Sequence, residues 1–158
     1  MSKTEDTDRI ERQIELKAPV SRVWRALADA REFASWFGFT LEHGEFAPGA
    51  EVRGRIRHKG YEHVVFAATV VQMDPERLIS WRWHPAAVEA GVDYSAEPTT
   101  LVTFELKKLG NGTLLKVVES GFASLPPHRR VSAHRMNGEG WDHQMIAIER
   151  HVDKSGQS

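Results

Sequence analysis

Large aromatic side chains at regular spacings are the feature of this sequence best suited to chemistry. On a predicted strand at residues 77–84, Trp81 and Trp83 are two positions apart and therefore share a face. Such side chains give a pocket apolar area and, in tryptophan, an N–H group that can orient a ligand. The alternative is that they simply fill the core. The candidate cavity residues are Trp81, Trp83, Phe66, Phe104, His134, Trp141 and Met145.

His134 is the polar exception in this set. It lies near the centre of the apolar stripe of a predicted C-terminal helix, where a histidine could meet a ligand oxygen or transfer a proton. The alternative is that the helix begins late or bends, so that His134 faces solvent or bonds a backbone carbonyl. Glu119 is a second candidate proton carrier. No residue is assigned as catalytic.

The facing of Phe66 depends on the length of one turn. A two-residue loop at Lys59-Gly60 would pair Ile56 with His63 and place Phe66 opposite Arg53. One additional loop residue would move Phe66 to the other face of the sheet.

Several kinds of site are absent from the sequence. There are no cysteines, which excludes disulfides, thiolate metal ligands and cysteine nucleophiles. The eight histidines are scattered, with no helical His-x-x-x-His pair backed by a carboxylate. Neither a glycine-rich phosphate loop nor a Gly-x-Ser-x-Gly elbow is found. We therefore expect no metal and no cofactor.

Charge and hydropathy exclude two classes of partner. The 21 basic and 22 acidic side chains give a net charge of −1, which argues against a nucleic-acid surface. The longest apolar run, from Val64, is too short to cross a bilayer, and the polar N-terminus lacks a secretion signal. We expect no membrane insertion and a cytoplasmic location.

Hydrophobic periodicity predicts an α+β domain. The order is a strand, two short helices, six more strands and a long helix, and short turns between strands imply an antiparallel sheet. Residues 1–8 are predicted to be a disordered polar tail, 9–153 a single domain and 154–158 a second polar tail. The longest connection between strands, residues 85–98, is a candidate gate of the cavity.

The C-terminal segment is predicted to lie on this sheet. Ser124 is the expected N-cap, followed by two prolines in the first turn. The helix carries one apolar stripe, whose members are Val131, His134, Gly138, Trp141, Met145, Ile148 and Val152. Gly140 lies off the stripe and needs a separate reason, such as a kink.

A set of short motifs resembles a known family in order and spacing. The motifs are Ala18-Pro19, Val23-Trp24, Leu27, Trp36-Phe37, Pro48-Gly49, Asp74-Pro75, Arg77-Leu78, Trp81, Gly112-Thr113, Ser120-Gly121-Phe122, Asn137 and Gly140-Trp141. Together they resemble the helix-grip proteins of the START/SRPBCC superfamily, and most closely the C-terminal domain of activators of the heat-shock-protein-90 ATPase. The resemblance implies a curved antiparallel sheet of about six to seven strands around a long C-terminal helix, with a deep cavity between them.

Three functions are compatible with this resemblance. The first is a carrier or binding protein for a hydrophobic or aromatic small molecule. The second is a co-chaperone that activates an ATPase, as a monomer or homodimer, in a stress response. The third is a cyclase or hydratase that uses His134 or Glu119 as a proton carrier. A fold by itself does not choose among them.

Overall fold

The computed structural model describes residues 8–155. The predicted terminal tails lie outside this range, apart from Asp8 and the last two residues of the C-terminal helix. The elements are β1 (Arg9–Leu16), α1 (Val20–Ala28), α2 (Ala30–Phe37), β2 (Phe39–His43), β3 (Glu51–Ile56), β4 (Val65–Asp74), β5 (Leu78–Trp83), β6 (Thr100–Leu109), β7 (Gly112–Ser120) and α3 (Pro127–Ser155). The predicted order of elements is confirmed.

The seven strands form one antiparallel sheet in the order β1-β7-β6-β5-β4-β3-β2. Consecutive strands from β2 to β7 are neighbours, as short turns require, and β1 closes the sheet by pairing with β7. The two short helices and α3 lie on the same face, against which alternate residues of the strands are buried. This is the predicted α+β helix-grip architecture.

The two short helices are separated by a cap. Asp29 ends α1, and its Oδ1 accepts a hydrogen bond from the backbone N–H of Glu32 at 3.0 Å, which begins α2. Gly38 then ends α2 with φ at 109°, a left-handed conformation that suits glycine.

An aromatic cluster fills the space under the middle of the sheet. Phe33 of α2 is fully buried, and its ring centroid lies 4.8–6.4 Å from those of seven other aromatic residues, among them Trp81 and Phe104. Rings at such distances and mostly tilted or edge-on are favourably packed. The interior is therefore occupied by side chains here, and open space remains elsewhere.

The connection between β3 and β4 is longer than a two-residue loop, so the second of the two alternatives for the facing of Phe66 is the one found. Residues 57–64 form a longer connection, and the register pairs Phe66 with Gly54 instead of Arg53. Phe66 consequently faces the helices and is 2% exposed. A Cβ at position 54 would lie 2.6 Å from the ring of Phe39, which stacks on Phe66 with ring centroids 4.2 Å apart. Glycine at 54 thus leaves room for the Phe39 ring in this stack.

The N-cap predicted for α3 at Ser124 is wrong. Residues Phe122–Ser124 form a 3₁₀ turn, and α3 begins at Pro127, with the carbonyl of Pro126 accepting the N–H groups of Arg129 and Arg130. Val131, the first member of the predicted stripe, is 65% exposed. From Ala133 onward the predicted stripe is largely buried, and the helix runs unbroken through Gly138 and Gly140.

Candidate functional site

The candidate site is a cleft of about 510 Å³ beside the N-terminal half of α3. One wall is residues 132–144 of α3, and the other comprises the ends of β4 and β5 with the connections at residues 61–64 and 84–88. Phe37, the last residue of α2, closes one end of the cleft. The volume lies within the usual range for sites that hold small molecules.

The interior surface of the cleft is mainly aromatic. Phe37, Phe66, Trp83 and Trp141 all line it, and their ring centroids lie 5.5–6.2 Å apart in successive contacts. The outer rim is apolar as well, since three large side chains there are at least 39% exposed: Tyr61, Val65 and Met136. The cleft therefore presents an apolar path from solvent to an aromatic interior.

A buried carboxylate lies directly behind this aromatic surface. Glu119 of β7 is fully buried. Its Oε1 accepts hydrogen bonds from Trp141 Nε1 at 2.8 Å and Asn137 Nδ2 at 3.0 Å. Its Oε2 accepts from Trp83 Nε1 at 2.8 Å, Thr100 Oγ1 at 2.6 Å and Asn137 Nδ2 at 3.0 Å.

These hydrogen bonds join three strands to the helix through one side chain. Among the described residues no cation lies in salt-bridge range of Glu119, so neutral donors alone compensate its removal from water. Hydrogen bonds to a charged acceptor are stronger than neutral ones. The carboxylate therefore fixes the positions of Trp83, Trp141 and Asn137, all of which line the cleft.

This network determines what the two tryptophans offer to a ligand. Because both indole N–H groups donate to Glu119, neither is available within the cleft, and the rings present carbon surface only. On the α3 wall, the two amides Asn137 and Gln144 are half-buried, whereas Ser132, Arg135 and Glu139 are exposed at the rim. Asn137 uses its NH₂ group on Glu119, and Gln144 donates Nε2 to the backbone carbonyl of Phe37 at 2.9 Å.

Arg129 fixes the connection that borders the cleft. Its guanidinium donates to both carboxylate oxygens of Glu97 and to the backbone carbonyls of Pro85 and Ala86. It also lies 4.8 Å from the ring centroid of Tyr94. The hydrogen bonds from Arg129 hold the pKa of Glu97 below its ordinary value, despite partial burial.

The same connection is held at a second point. His63 donates through Nε2 to the carbonyl of Val88 at 2.6 Å, which links it to the segment before β4. With the start of α3 attached at one side and residue 63 at the other, the predicted gate is tethered at both sides of the cleft.

Six of the seven predicted cavity residues divide into two groups. Trp83, Phe66 and Trp141 line the cleft. Trp81 and Phe104 are fully buried and Met145 is 5% exposed, all three beneath the middle of the sheet and outside the lining. The distinction follows from the packing of α2, whose Phe33 ring occupies the space above Trp81 and Phe104.

The seventh residue, His134, lies away from the cleft on the β1 side of α3. Its Nε2 donates to the backbone carbonyl of Arg9 at 3.0 Å, and its ring packs edge-on against Phe122. This is the alternative in which the histidine bonds a nearby backbone carbonyl. His134 is therefore not in a position to contact a ligand bound in this cleft.

Several residues of the site have a role in the structure that differs from the one expected from the sequence. A period-two signal for Glu119 is present in β7, where Thr113, Leu115, Val117 and Glu119 are all buried on one face. Gly140 opens onto the cleft, since a Cβ there would meet nothing within 4 Å. The expected kink at Gly140 is absent, because α3 continues through it. No sequence pattern pointed to Gln144 as a residue of the site, apart from its place in the predicted helix.

Within residues 8–155, no group of three or more histidine and acidic side chains is arranged to hold a metal ion. None of the described helices is long and apolar enough to cross a membrane.

Comparison with known proteins gives the family. The sequence profile of the family described as Activator of Hsp90 ATPase homolog 1-like protein matches residues 17–153. No curated protein matches the chain at a significant level. Among solved structures, the chain is similar to DynU16, a protein in the dynemicin biosynthetic locus, with 25% identity and a TM-score of 0.72. The similarity covers 96% of this chain and 49% of DynU16, so the chain spans about half the length of that protein.

Two further structures share the fold. Protein MLL2253 from Mesorhizobium loti is 22% identical, with a TM-score of 0.72 over 92% of this chain and 97% of its own. The Aha1 dimer from Colwellia psychrerythraea is 15% identical, with a TM-score of 0.68 over 92% of this chain and 96% of its own. Profile, strand order and helix packing agree with the resemblance found in the sequence motifs. The chain belongs to the Activator of Hsp90 ATPase homolog 1-like family, on the START/SRPBCC helix-grip fold.

Proposed function

We propose that this protein binds an aromatic small molecule in the cleft beside α3. The observation that carries the proposal is the aromatic interior, in which both indole N–H groups are already bonded to Glu119. What remains is an apolar surface open to solvent, and burying such surface favours association by about 25 cal/mol per Å² before the costs of binding. The apolar rim extends this surface outward.

Gly140 offers a direct test of where binding occurs. Phenylalanine at position 140 would project into the cleft, because a Cβ there meets no atom within 4 Å. Phenylalanine at the exposed position of His143, on the same helix and outside the lining, adds the same side chain elsewhere. The pair Gly140→Phe and His143→Phe therefore separates occupation of the cleft from added hydrophobicity.

The measurement is titration with N-phenyl-1-naphthylamine, a neutral dye whose fluorescence rises on leaving water. We expect binding to the unmodified protein and to His143→Phe, and at least a tenfold loss of affinity in Gly140→Phe. Native mass spectrometry of freshly purified protein would show whether an apolar molecule accompanies it. Equal dye binding by both variants would contradict binding in the cleft.

A second candidate is a chaperone partner, favoured by the family description itself. In this role the outer surface contacts a protein of the heat-shock-protein-90 class, and the Colwellia structure, described as a dimer, suggests testing for a homodimer too. A pull-down with that chaperone, an ATPase assay and sedimentation of the protein alone are the tests. No binding and no change in ATPase rate would remove this candidate.

The enzymatic hypothesis requires a proton carrier that reaches the cleft. His134 bonds the backbone of β1, and both oxygens of Glu119 are occupied behind the aromatic surface. We therefore do not propose catalysis by these two residues.

A further inference from the structure

Two opposite charges at the rim of the cleft have no partner within the described part of the protein. Arg135 and Glu139 of α3 both line the cleft, and both are exposed to solvent. Neither side chain forms a salt bridge or hydrogen bond with any residue in the range 8–155. Arg129 and Arg130, on the same helix, both bond protein groups. The rim thus offers a guanidinium and a carboxylate that are available to a ligand.

The spacing of the two residues places them side by side. Arg135 and Glu139 are four residues apart, so their Cβ atoms are roughly 5–6 Å apart on neighbouring turns of the helix. A basic residue followed by an acidic one is the less favourable order for a pair at this spacing. The attraction between the two side chains is therefore weak, and one ligand can contact both.

Gly140 leaves open space between this charged pair and the aromatic interior. At about 100° per residue, the order around the helix is Trp141, Gly140, Glu139, Arg135. A Cβ at position 140 would meet nothing within 4 Å. Opposite α3, the ring of Trp83 is half-buried and so keeps surface that a ligand can reach. A ligand ring over Gly140 would therefore hold its substituents near the pair at the rim.

The other wall of the cleft adds no further formal charge. Its ionisable side chains are the phenol of Tyr61 and the imidazole of His84, whose Nε2 donates to the backbone carbonyl of Glu97 at 3.0 Å. Glu119 lies behind the rings and is not part of the lining. A ligand with a single charge would meet one attractive and one repulsive group at the rim. A ligand that carries both charges would find a partner for each.

We propose that Arg135 and Glu139 are specificity determinants of the cleft, which bind the carboxylate and the ammonium group of a zwitterionic aromatic molecule of the α-amino acid class. An α-amino acid carries both groups on one carbon atom, within reach of two long side chains one turn apart. The guanidinium suits a carboxylate because it can donate two parallel hydrogen bonds to it. This inference rests on the proposed function, since it concerns the chemistry of the same cleft.

The test uses four indoles that differ only in their charged groups. L-Tryptophan carries both groups, tryptamine only the ammonium, indole-3-propionate only the carboxylate and 3-ethylindole neither. Calorimetric titration at neutral pH and low salt compares their affinities. Two exposed ion pairs that each contribute about threefold give about tenfold together. We expect L-tryptophan to bind about tenfold more tightly than 3-ethylindole, and the two singly charged indoles to stay within about threefold of 3-ethylindole.

The variants Arg135→Gln and Glu139→Gln each remove one charge and should have opposite effects on the singly charged indoles. Both should lower the affinity for L-tryptophan to that for 3-ethylindole, whose own affinity stays within about twofold. Arg135→Gln should improve binding of tryptamine by about threefold, because the repulsive cation is gone. Glu139→Gln should improve binding of indole-3-propionate to the same extent. A change in packing alone would not produce this crossed pattern.

Two controls accompany these variants. Arg150→Gln removes an exposed charge of α3 outside the lining and should retain the preference for L-tryptophan. Thermal unfolding identifies any loss of fold. Raising NaCl from about 20 mM to about 500 mM should reduce the preference of the unmodified protein for L-tryptophan over 3-ethylindole, because salt screens exposed charges.

The two proposals fail in different ways. If L-tryptophan binds no more tightly than 3-ethylindole, or if both single variants keep the tenfold preference, the role of the charged pair is overturned while binding in the cleft stands. If none of the four indoles binds the unmodified protein, and the dye does not bind either, both proposals are overturned.

Discussion

Trp141 of α3 donates its indole N–H to Oε1 of Glu119 on β7 at a distance of 2.8 Å. The bond connects the long helix to strand β7 through a fully buried carboxylate. It also turns the polar edge of the indole toward the protein and leaves the ring itself for the cleft. Stability and ligand binding are thus linked at this contact.

The first prediction concerns that carboxylate. In Glu119→Gln an NH₂ group replaces one acceptor and faces donors, so at least one indole or hydroxyl group loses its partner. We expect the free energy of unfolding to fall by about 1–3 kcal/mol. Urea unfolding measures this change, and displaced indole N–H signals in NMR spectra would locate it. Unchanged stability with unchanged indole signals would mean that the network is unimportant.

The second prediction contrasts two tryptophans of one strand. Trp81 is fully buried in the aromatic cluster, whereas Trp83 lines the cleft. Trp81→Ala should cost about 3–5 kcal/mol, as expected for a cavity in a packed core. Trp83→Ala should cost less stability and remove dye binding, which urea unfolding and dye titration of the same samples can compare. Equal losses of stability would contradict the division between core and cleft.

The third prediction is a gain of stability at Gly140. The residue lies inside α3 without a positive φ, and a methyl group there meets no atom within 4 Å. Gly140→Ala should therefore raise the free energy of unfolding by up to about 1 kcal/mol through helix propensity. Gly138→Ala is the matched control, because its Cβ would lie 3.2 Å from Arg12 Nη2. If Gly138→Ala raises the free energy of unfolding more than Gly140→Ala does, the open space inferred at position 140 is wrong.

The fourth prediction concerns the connection at residues 84–99. Arg129 bonds Glu97 and the carbonyls of Pro85 and Ala86. Arg129→Ala should raise amide hydrogen exchange in residues 85–98 and leave β6 and β7 protected. Arg130→Ala, which removes bonds to Ala123 and Leu125 instead, is the comparison. Equal exchange in residues 85–98 of both variants would show that Arg129 is not what holds this segment.

The fifth prediction is a loss of stability in acid. Burial raises the pKa of Glu32, but hydrogen bonds from His151 and Arg22 outweigh it and hold the pKa below its ordinary value. A carboxyl whose pKa is depressed by folding stabilises the fold above its unfolded-state pKa. That contribution is lost as the pH falls through the folded-state pKa. Glu97 behaves in the same way through Arg129.

Unfolding of the unmodified protein and of the double variant Glu32→Gln/Glu97→Gln across acidic pH tests this account. The double variant should be less stable at neutral pH and lose less stability on acidification. Glu15→Gln, at an exposed strand position without an ion pair among the described residues, should keep the acid dependence of the unmodified protein. If the free energy of unfolding of the double variant falls with pH as steeply as that of the unmodified protein, Glu32 and Glu97 are not the source of the acid dependence.

The sequence was sufficient for the architecture and for part of the site. Alternation in the strands and the motifs of the family resemblance predicted the order of elements, and four motif residues line the cleft: Phe37, Asn137, Gly140 and Trp141. The register of Phe66 could not be derived, because it depends on the length of an irregular connection rather than on strand periodicity.

Two other features depend on tertiary packing. Whether Trp81 or Trp83 borders open space is decided by Phe33 from a separate helix, which strand alternation does not report. The burial of Glu119 could have been predicted from the sequence, since Glu119 follows Leu115 and Val117 at every second position of a strand face that is buried. Its donors come from three different elements, β5, β6 and α3, however, and sequence spacing does not indicate that they meet.

The most direct test of binding at the cleft is an NMR titration of the five tryptophan indole N–H groups with 2-naphthol. The account predicts that the signals of Trp83 and Trp141 shift, while those of Trp24 and Trp36, which lie outside the cleft lining, do not. Shifts confined to Trp24 and Trp36, or no shift at any indole up to the solubility of the probe, would contradict it.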